Sequence, residues 1–398
     1  MQSDNDALPK EEKITISRRN LLEALGTGII ATGVIGCTSR EDATLAYDDE
    51  LTPELYHSSV KALASAIRTG EVSSVEVVQA FLDRIETVNE MINAVVILAG
   101  DEALDAAREA DAQLSRGELK GPLHGVPMTI KDSIDTAGFV TTYGTKGRST
   151  FVPTKDATVV ARLKSSGAIL LGKTNTPEFT LSYETSNSIF GATNNPYDLT
   201  RTPGGSSGGA SAILAAGGSP FDIGSDYGGS IRLPSHCTGI AGIKPTSGRV
   251  PRTGHGFPFG GLLDAFQQLG PMARHVTDLS LLLPIIAGPD WVDPYIVPMS
   301  LLDPANVKLQ DLRDSIHTDN GIQSPTPEIS AVVKAAASVM VGAGARIDEA
   351  RPTGIESSYD IMMDAWNRCD PPLDKKLLKA AGTSRDETTL QWIFEVPA

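Results

Sequence analysis

The apolar positions of this chain alternate between helix-type and strand-type spacing. Apolar residues recur every three or four positions from Ser58 to Ile67 and from Ser73 to Val88, which predicts two amphipathic helices. Ser73 precedes the second run and Glu76 follows three positions later, the pattern of a capping box that starts a helix. Further helices are predicted over the following stretches: 101–115, 157–165, 204–218 and 327–343.

Short apolar runs of strand length lie between these helices. Gly125–Lys131, Ala168–Leu171 and Ile240–Lys244 are each predicted to form a buried strand, and the first of them ends at a lysine. Because helices alternate with short strands along the chain, we predict an α/β fold built around one mixed central sheet.

Composition narrows the class of protein. The chain has 398 residues, of which 40% are hydrophobic and 21% charged, as is typical of a globular protein. Its net charge of −15 provides no basic field to attract phosphates, so nucleic acid is not an expected partner. The three cysteines are scattered and form no Cys-x-x-Cys pair, which excludes a disulfide scaffold and argues against a structural zinc site.

The first 36 residues have the pattern of an export signal. Arg18 and Arg19 precede a weakly apolar run from Leu21 to Gly36. This run is shorter than a typical membrane-spanning helix. The arginine pair resembles a twin-arginine signal, and the run ends at Cys37 in a sequence that resembles a lipobox. The alternative is an ordinary amphipathic helix with a chance arginine pair. Glu23 and the Val-Ile pair before Gly36 depart from the usual export pattern.

This interpretation divides the chain into three parts. Residues 1–36 are predicted to be the signal peptide, 37–55 a polar linker after a lipidated Cys37, and 56–398 a single domain. The predicted location is the cell envelope, with the protein held to the membrane by its lipid. It is the cytoplasm if the signal interpretation is wrong.

One stretch of the chain matches a phosphate-binding pattern but is not expected to bind phosphate. Residues 167–174 fit G-x-x-x-x-G-K-[ST], but the four residues between the glycines are Ala-Ile-Leu-Leu, which favour a buried strand over a flexible loop. Pro177 also prevents a long helix from starting at Gly172. A strand followed by a turn is therefore predicted here.

Two glycine-rich loops carry the candidate chemistry. Residues 203–210 read Pro-Gly-Gly-Ser-Ser-Gly-Gly-Ala, and residues 224–234 read Gly-Ser-Asp-Tyr-Gly-Gly-Ser-Ile-Arg-Leu-Pro. Glycines let successive N–H groups point at one oxyanion, and a serine beside them suits a nucleophile that needs a base. Lys131, at the end of a buried strand, is a better candidate base than any of the six histidines. Simple tight-turn packing is the alternative for the loops taken alone.

These motifs, with G-V-P-x-x-I-K-D upstream, resemble the amidase signature family, most densely over residues 121–252. The resemblance implies helices on both faces of the central sheet. It implies a Ser–cis-Ser–Lys triad, with Ser230 as nucleophile, Ser206 as bridging serine on a cis peptide after Gly205, and Lys131 as base. It also implies that the following loop residues supply the oxyanion N–H groups: Tyr227, Gly228, Gly229 and Ser230. No metal or organic cofactor is implied.

Polar residues near the candidate triad are expected to hold it in place and not to react themselves. Asp226 and Arg232 are expected to form an ion pair that holds the nucleophile loop, and Ser207 to be a hydrogen-bonding support. Asp132 should point away from Lys131, because adjacent strand residues face opposite sides of a sheet. Burial on an apolar strand should lower the pKa of Lys131 from its reference value of ~10.4.

The C-terminal third departs from the family pattern. Fewer residues follow Ser230 than is usual, and neither a Y-x-x-x-F-N-x-x-G-x-P stretch nor a G-L-P-x-G-x-Q strand occurs. We therefore expect a shortened fold, with an exposed sheet edge that favours aggregation and lowers activity.

The sequence favours an amidase that hydrolyses linear carboxylic amides to a carboxylate and an amine or ammonia through an acyl-serine intermediate. Its expected partner is a small amide, and its oligomeric state is left open. The alternatives are a glutamine-hydrolysing subunit of a tRNA-dependent amidotransferase and an inactive amidase-like envelope lipoprotein.

Overall fold

The computed structural model describes residues 50–256 and 264–394. The predicted signal peptide and Cys37 lie outside these residues, as does most of the predicted linker. In the described part of the chain, no helix is long and apolar enough to span a membrane.

Helices are distributed along the whole described chain. The α-helices are α1 Val60–Thr69, α2 Ser74–Ile92, α3 Gly100–Ser115, α4 Thr158–Ser165, α5 Gly208–Ala215, α6 Arg232–Thr238, α7 Val276–Ile286, α8 Pro327–Gly342 and α9 Ser358–Ala381. The strands are β1 Val95–Leu98, β2 Pro127–Lys131, β3 Ile169–Thr174, β4 Ser186–Asn187, β5 Gly191–Ala192, β6 Phe221–Asp226, β7 Ala241–Gly242, β8 Gln268–Ala273, β9 Arg313–Ile316 and β10 Arg346–Glu349.

The start of α2 confirms the predicted capping box. The Ser73 hydroxyl accepts a hydrogen bond from the Glu76 N–H at 3.1 Å, and the Glu76 carboxylate accepts one from the Ser73 N–H at 2.8 Å. The helix runs four residues beyond the predicted end because Ile92 still lies on its buried face. It ends where Asn93 adopts a left-handed conformation, with φ of 48°.

The central sheet is mixed, as predicted, and helices cover both of its faces. Its six strands follow the order β1-β3-β2-β6-β8-β7. Strand β2 pairs in parallel with β3 and β6, whereas β1, β7 and β8 make antiparallel pairs. The strand predicted over Ile240–Lys244 is reduced to the two residues of β7. The stretch that matches the phosphate-binding pattern, residues 167–174, forms β3 and the turn beside it, in agreement with the prediction.

Strand β6 was not predicted from the sequence, although it is central to the sheet. All six of its residues are buried, and three of them are polar: Asp222, Ser225 and Asp226. A buried strand that carries polar side chains lacks both the continuous apolar run and the alternation that identify strands. Ser225 and Asp226 form hydrogen bonds that offset their burial, and Asp222 Oδ2 accepts from two threonine hydroxyls, whereas Asp222 Oδ1 has no partner among the described residues.

A second apolar cluster joins the end of α9 to the middle of the chain. Leu377, Leu378 and Leu390 pack with Tyr143 and Phe179. The end of α9 and the segment that follows it therefore pack on two parts of the chain, one between β2 and β3 and one after β3.

The buried carboxylate of Glu178 lies beside this cluster and binds the segment after α9. It accepts hydrogen bonds from the Thr145 hydroxyl at 2.6 Å, the Thr388 hydroxyl at 2.9 Å, and the Thr389 N–H and hydroxyl at 2.7 Å each. Several donors would lose their acceptor together if this carboxylate were removed, which is costly in a buried site.

Replacing Glu178 by alanine should therefore lower the free energy of unfolding by about 3 kcal/mol, as expected when buried donors lose a charged acceptor. Urea unfolding followed by circular dichroism measures this loss. The matched control is Glu86→Ala, at an exposed position of α2. Equal stability of the two variants would show that the segment after α9 is not held by Glu178.

Candidate active site

The candidate site lies where two parallel strands end at the same edge of the sheet. Lys131 is the last residue of β2, and Asp226 is the last residue of β6. In the register of these strands, Thr129 lies opposite Asp222 and Ile130 opposite Ile223. Since the carboxyl ends of parallel strands meet at one edge, the two motifs that carry Lys131 and Ser230 converge there.

The Lys131 ammonium is fully buried among three serine hydroxyls. Its Nζ lies 2.7 Å from Ser206 Oγ, 3.0 Å from Ser207 Oγ and 3.0 Å from Ser225 Oγ. The Ser207 hydroxyl donates its proton to the Ser225 carbonyl at 3.2 Å. Ser207 therefore accepts from Lys131, which leaves the nearer Ser206 hydroxyl suited to donate a proton when the lysine is neutral.

Burial shifts the protonation equilibrium of Lys131 towards the neutral amine. Burial lowers the pKa of Lys131 to about 7, although the charges of Asp222 and Asp226 oppose the shift. A substantial fraction of the lysine is therefore neutral near physiological pH, as general-base chemistry requires. This agrees with the direction expected from the sequence.

Ser206 lies two residues before α5, and the loop around it is held by the segment before β4. The Gly205–Ser206 peptide bond is cis, as the family resemblance implies. The Thr185 hydroxyl donates to the Gly204 carbonyl at 2.9 Å and accepts from the Gly208 N–H at 3.1 Å. A Cβ atom at Gly205 would lie 2.8 Å from the Ser182 carbonyl oxygen, so only glycine permits this close approach.

A main-chain hydrogen bond joins the two glycine-rich loops. The Ser207 N–H donates to the Ser230 carbonyl at 3.1 Å. Ser230 is only 6% exposed, and Ser206 and Lys131 are fully buried. The three residues proposed from the sequence as a triad therefore lie in one largely buried site at the sheet edge.

Asp226 and Arg232 form the predicted ion pair in bidentate geometry. Arg232 Nε and Nη2 lie 3.0 and 2.9 Å from the two carboxylate oxygens of Asp226. Burial by itself raises the pKa of Asp226, but hydrogen bonds from Arg232 and from the Ile231 N–H outweigh it and hold that pKa below its usual value. Asp226 therefore remains a carboxylate that organises the nucleophile loop.

The oxyanion prediction needs a correction at Gly229. Its N–H donates to Asp226 Oδ1 at 2.9 Å, so that group is used inside the loop and is not available to a substrate. Among the described residues, no acceptor bonds the N–H groups of Gly228 or Ser230. These two groups are therefore candidates for an oxyanion site, and the role of the Tyr227 N–H stays a prediction. Tyr227 is half-buried, with its ring edge-on to that of Phe266 at 6.4 Å.

Asp132 points away from Lys131, as predicted. It accepts hydrogen bonds from the Thr142 hydroxyl and N–H and lies 4.0 Å from the buried ammonium of Lys173. Lys173 also donates to the Ile134 carbonyl at 2.6 Å. Lys173 therefore connects β3 to the chain that follows β2.

Three residues near the site were missed from the sequence. Ser225 contacts Lys131 and lies in the second glycine-rich loop directly after Gly224, so the motif itself offered a signal.

Asp222 is buried below the site and accepts a hydrogen bond from the Thr129 hydroxyl at 2.6 Å. Burial raises the pKa of Asp222 to about 7. Tyr183 reaches the nucleophile loop from a distant segment, and nothing local in the sequence indicates this.

Comparison with known proteins places this arrangement in a family. The family model described as Amidase matches residues 76–394. The chain is 42% identical over 299 residues to the A subunit of the glutamyl-tRNA(Gln) amidotransferase of Moorella thermoacetica, covering 74% of this chain and 61% of that protein. It is 40% identical over 314 residues to the indoleacetamide hydrolase of Bradyrhizobium diazoefficiens, covering 76% of this chain and 57% of that protein.

Solved structures agree with the fold. A fatty acid amide hydrolase superposes with a TM-score of 0.75 at 29% identity, covering 87% of this chain and 64% of that chain. A bacterial aryl acylamidase of the amidase signature enzymes superposes with a TM-score of 0.73 at 28% identity, covering 85% of this chain and 70% of that chain. The chain thus spans only about three fifths of the curated relatives it matches, 61% and 57% in the two cases above.

Proposed function

The chain belongs to the amidase signature family, and on that premise we propose that it hydrolyses linear carboxylic amides to a carboxylate and an amine or ammonia. The observation that carries the proposal is the buried Lys131 amine, which lies 2.7 Å from the Ser206 hydroxyl. Because burial lowers the pKa of Lys131 to about 7, this amine can act as a base at neutral pH.

Acylation begins when the Ser230 hydroxyl attacks the amide carbonyl carbon. The Ser230 proton passes to Ser206 Oγ while Ser206 gives its own proton to Lys131 Nζ. The carbonyl oxygen gains negative charge, and the N–H groups of Gly228 and Ser230 stabilise it. Collapse of the tetrahedral intermediate breaks the C–N bond. The leaving nitrogen takes a proton that returns from Lys131 through Ser206.

Deacylation repeats the same proton path with water as the nucleophile. Water attacks the acyl-Ser230 ester, its proton passes through Ser206 to Lys131, and the Ser230 oxygen leaves and is reprotonated. The cycle releases a carboxylate and restores the free serine. Ser207 and Ser225 keep the lysine in place by accepting its remaining N–H bonds.

The proposal is tested by activity and covalent labelling on the same preparation of the full chain. A panel of aliphatic, aryl and fatty-acyl amides is screened for release of amine or ammonia. A serine-directed fluorophosphonate is then expected to add one group, which peptide mass mapping assigns to Ser230. Labelling of another serine would reject the assignment. Absence of both labelling and turnover would favour the inactive envelope lipoprotein.

A glutamine-hydrolysing amidotransferase subunit is a second candidate, because two relatives, at 42% and 46% identity, are named as the A subunit of glutamyl-tRNA(Gln) amidotransferase. Glutamine belongs in the same substrate panel. Turnover of glutamine that exceeds turnover of every simple amide, and that rises on adding the other amidotransferase subunits, would favour this candidate.

We further propose that residues 1–36 are an export signal, that 37–55 are a linker after a lipidated Cys37, and that 56–398 form the amidase domain. The support is the order of Arg18, Arg19, the apolar run to Gly36 and Cys37 in the sequence. An acyl-modified Cys37 holds the protein on the membrane at the cell envelope. This location disfavours the amidotransferase role, which takes place in the cytoplasm.

Substituting Cys37 by alanine should release the protein from membranes, because the acyl chains would be attached to this one residue. Replacing Arg18 and Arg19 together by lysine should retain the unprocessed precursor in the cytoplasm. Fractionation with immunoblotting follows both variants in a bacterial host, and Cys237→Ala serves as the control for the loss of a cysteine. Unchanged membrane association of Cys37→Ala would refute the lipid anchor.

A further inference from the structure

Tyr183 contacts the nucleophile loop, although it belongs to neither glycine-rich motif. Its hydroxyl donates to the Gly228 carbonyl at 3.1 Å. Burial is the main cause that raises the pKa of Tyr183 above its usual value, and the nearby charge of Asp226 raises it further. The phenol therefore stays protonated and remains a donor at neutral pH.

The peptide between Gly228 and Gly229 is held at both of its polar ends. Tyr183 binds its carbonyl oxygen, and Asp226 accepts its N–H at 2.9 Å. Two glycines do not by themselves restrict the orientation of the peptide between them. Gly229 adopts a φ of 123°, which residues with a side chain rarely adopt. The orientation of this peptide plane is consequently fixed by two hydrogen bonds, one to Asp226 within the loop and one from Tyr183 outside it.

This peptide lies between the two N–H groups proposed to stabilise the oxyanion. The Gly228 N–H precedes it and the Ser230 N–H follows it. Unless opposite changes in ψ of Gly228 and φ of Gly229 compensate it, rotation of this peptide plane reorients the neighbouring peptides that carry the two N–H groups. Electrostatic stabilisation of a transition state depends on donors that are oriented before the charge develops. A bond that fixes this plane therefore affects catalysis without touching the substrate.

The backbone that carries Tyr183 is itself fixed against the Ser206 loop. Phe179 and Thr180 adopt left-handed φ values of 47° and 63°, a strained conformation for side chains of these types. Two residues after Tyr183, the Thr185 hydroxyl bonds both Gly204 and Gly208. One short segment thus connects the loop of the bridging serine to the loop of the nucleophile.

We propose that Tyr183 is a positioning residue for amide hydrolysis, which holds the Gly228–Gly229 peptide so that the N–H groups of Gly228 and Ser230 converge on the oxyanion. The proposal rests on the proposed function, since it needs an acyl transfer at Ser230. It assigns to Tyr183 a role in stabilising the transition state and not in binding the ground state.

Tyr183→Phe removes only the hydroxyl and leaves the ring in place. We expect kcat to fall about 10- to 100-fold, less than the loss of an oxyanion donor itself, with KM within about twofold of wild type. A trifluoromethyl ketone built on the acyl group of the best substrate mimics the tetrahedral intermediate. Its affinity should fall by the same factor as kcat/KM, as expected for a lost transition-state interaction.

Tyr197→Phe is the matched control, because it removes a hydroxyl from a tyrosine that is 74% exposed. Thermal unfolding of both variants shows whether the fold is retained. Tyr183 is itself 44% exposed, so it could instead contact the substrate. A rise in KM that accounts for the whole effect would overturn the positioning role in favour of substrate binding.

The outcomes separate this inference from the proposed function. If wild type hydrolyses amides and Tyr183→Phe matches it in kcat and in ketone affinity, the positioning role is wrong and the proposed function stands. If wild type neither turns over amides nor binds the ketone, the proposed function fails and the positioning role fails with it. A parallel loss of kcat and ketone affinity at constant KM supports both.

Discussion

Replacing Ser230 by alanine should abolish amide hydrolysis, with kcat falling by roughly five to six orders of magnitude, as when a serine hydrolase loses its nucleophile. Alanine removes the oxygen that forms the acyl bond. The main-chain bond from the Ser207 N–H to the Ser230 carbonyl can persist, so the two loops should stay joined. Steady-state kinetics on the best amide of the panel measures the loss, and the fluorophosphonate should no longer label the protein.

The matched control for Ser230 is Ser65→Ala, which removes a hydroxyl from an exposed position of α1. This variant should keep wild-type kinetics and labelling. Because Ser230 is nearly buried, a comparison of unfolding temperatures confirms that the alanine variant is folded. Substantial turnover in a folded Ser230→Ala protein would show that another residue is the nucleophile.

Replacing Lys131 by methionine should lower kcat by about 10²- to 10⁴-fold, the usual contribution of a general base. Methionine fills a similar apolar space but carries no proton acceptor. In wild type, kcat/KM should rise with pH through about 7 and then level off, since only the neutral amine accepts a proton and the pKa of Lys131 in the free enzyme lies near that value. The residual activity of Lys131→Met should lack this rise.

A second variant identifies which group produces the pH dependence. Asp222 is also buried, and its pKa is raised to about 7, so its ionisation would fall in the same range. The charge of Asp222 raises the pKa of Lys131. Asp222→Asn should therefore lower the lysine pKa further and move the rise in kcat/KM to lower pH. Lys155→Met, at an exposed lysine, should leave the profile unchanged.

Loss of the pH-dependent rise in Asp222→Asn, with the rise retained in Lys131→Met, would assign the base to the aspartate. Retention of the rise in both variants would assign it to a group outside this pair.

Local sequence patterns determined much of the framework. The capping box at Ser73 and Glu76 predicted the start of α2, because both of its hydrogen bonds form within one turn of helix. The apolar runs before Lys131 and after Gly167 predicted β2 and β3, since short continuous apolar stretches with glycine or proline beside them favour buried strands. Strand β6 escaped prediction because its buried polar residues match neither strand pattern.

For the site, the sequence determined which residues are candidates, and the tertiary structure decided how they are connected. The motifs named Lys131, Ser206 and Ser230, but only the parallel pairing of β2 with β6 brings Lys131 next to Ser225 and beside the Ser206 loop. The use of the Gly229 N–H by Asp226 follows from how the loop folds back on its own carboxylate. The approach of Tyr183 to Gly228 joins residues 45 positions apart, and such long-range contacts arise from packing, which periodicity and local motifs do not encode.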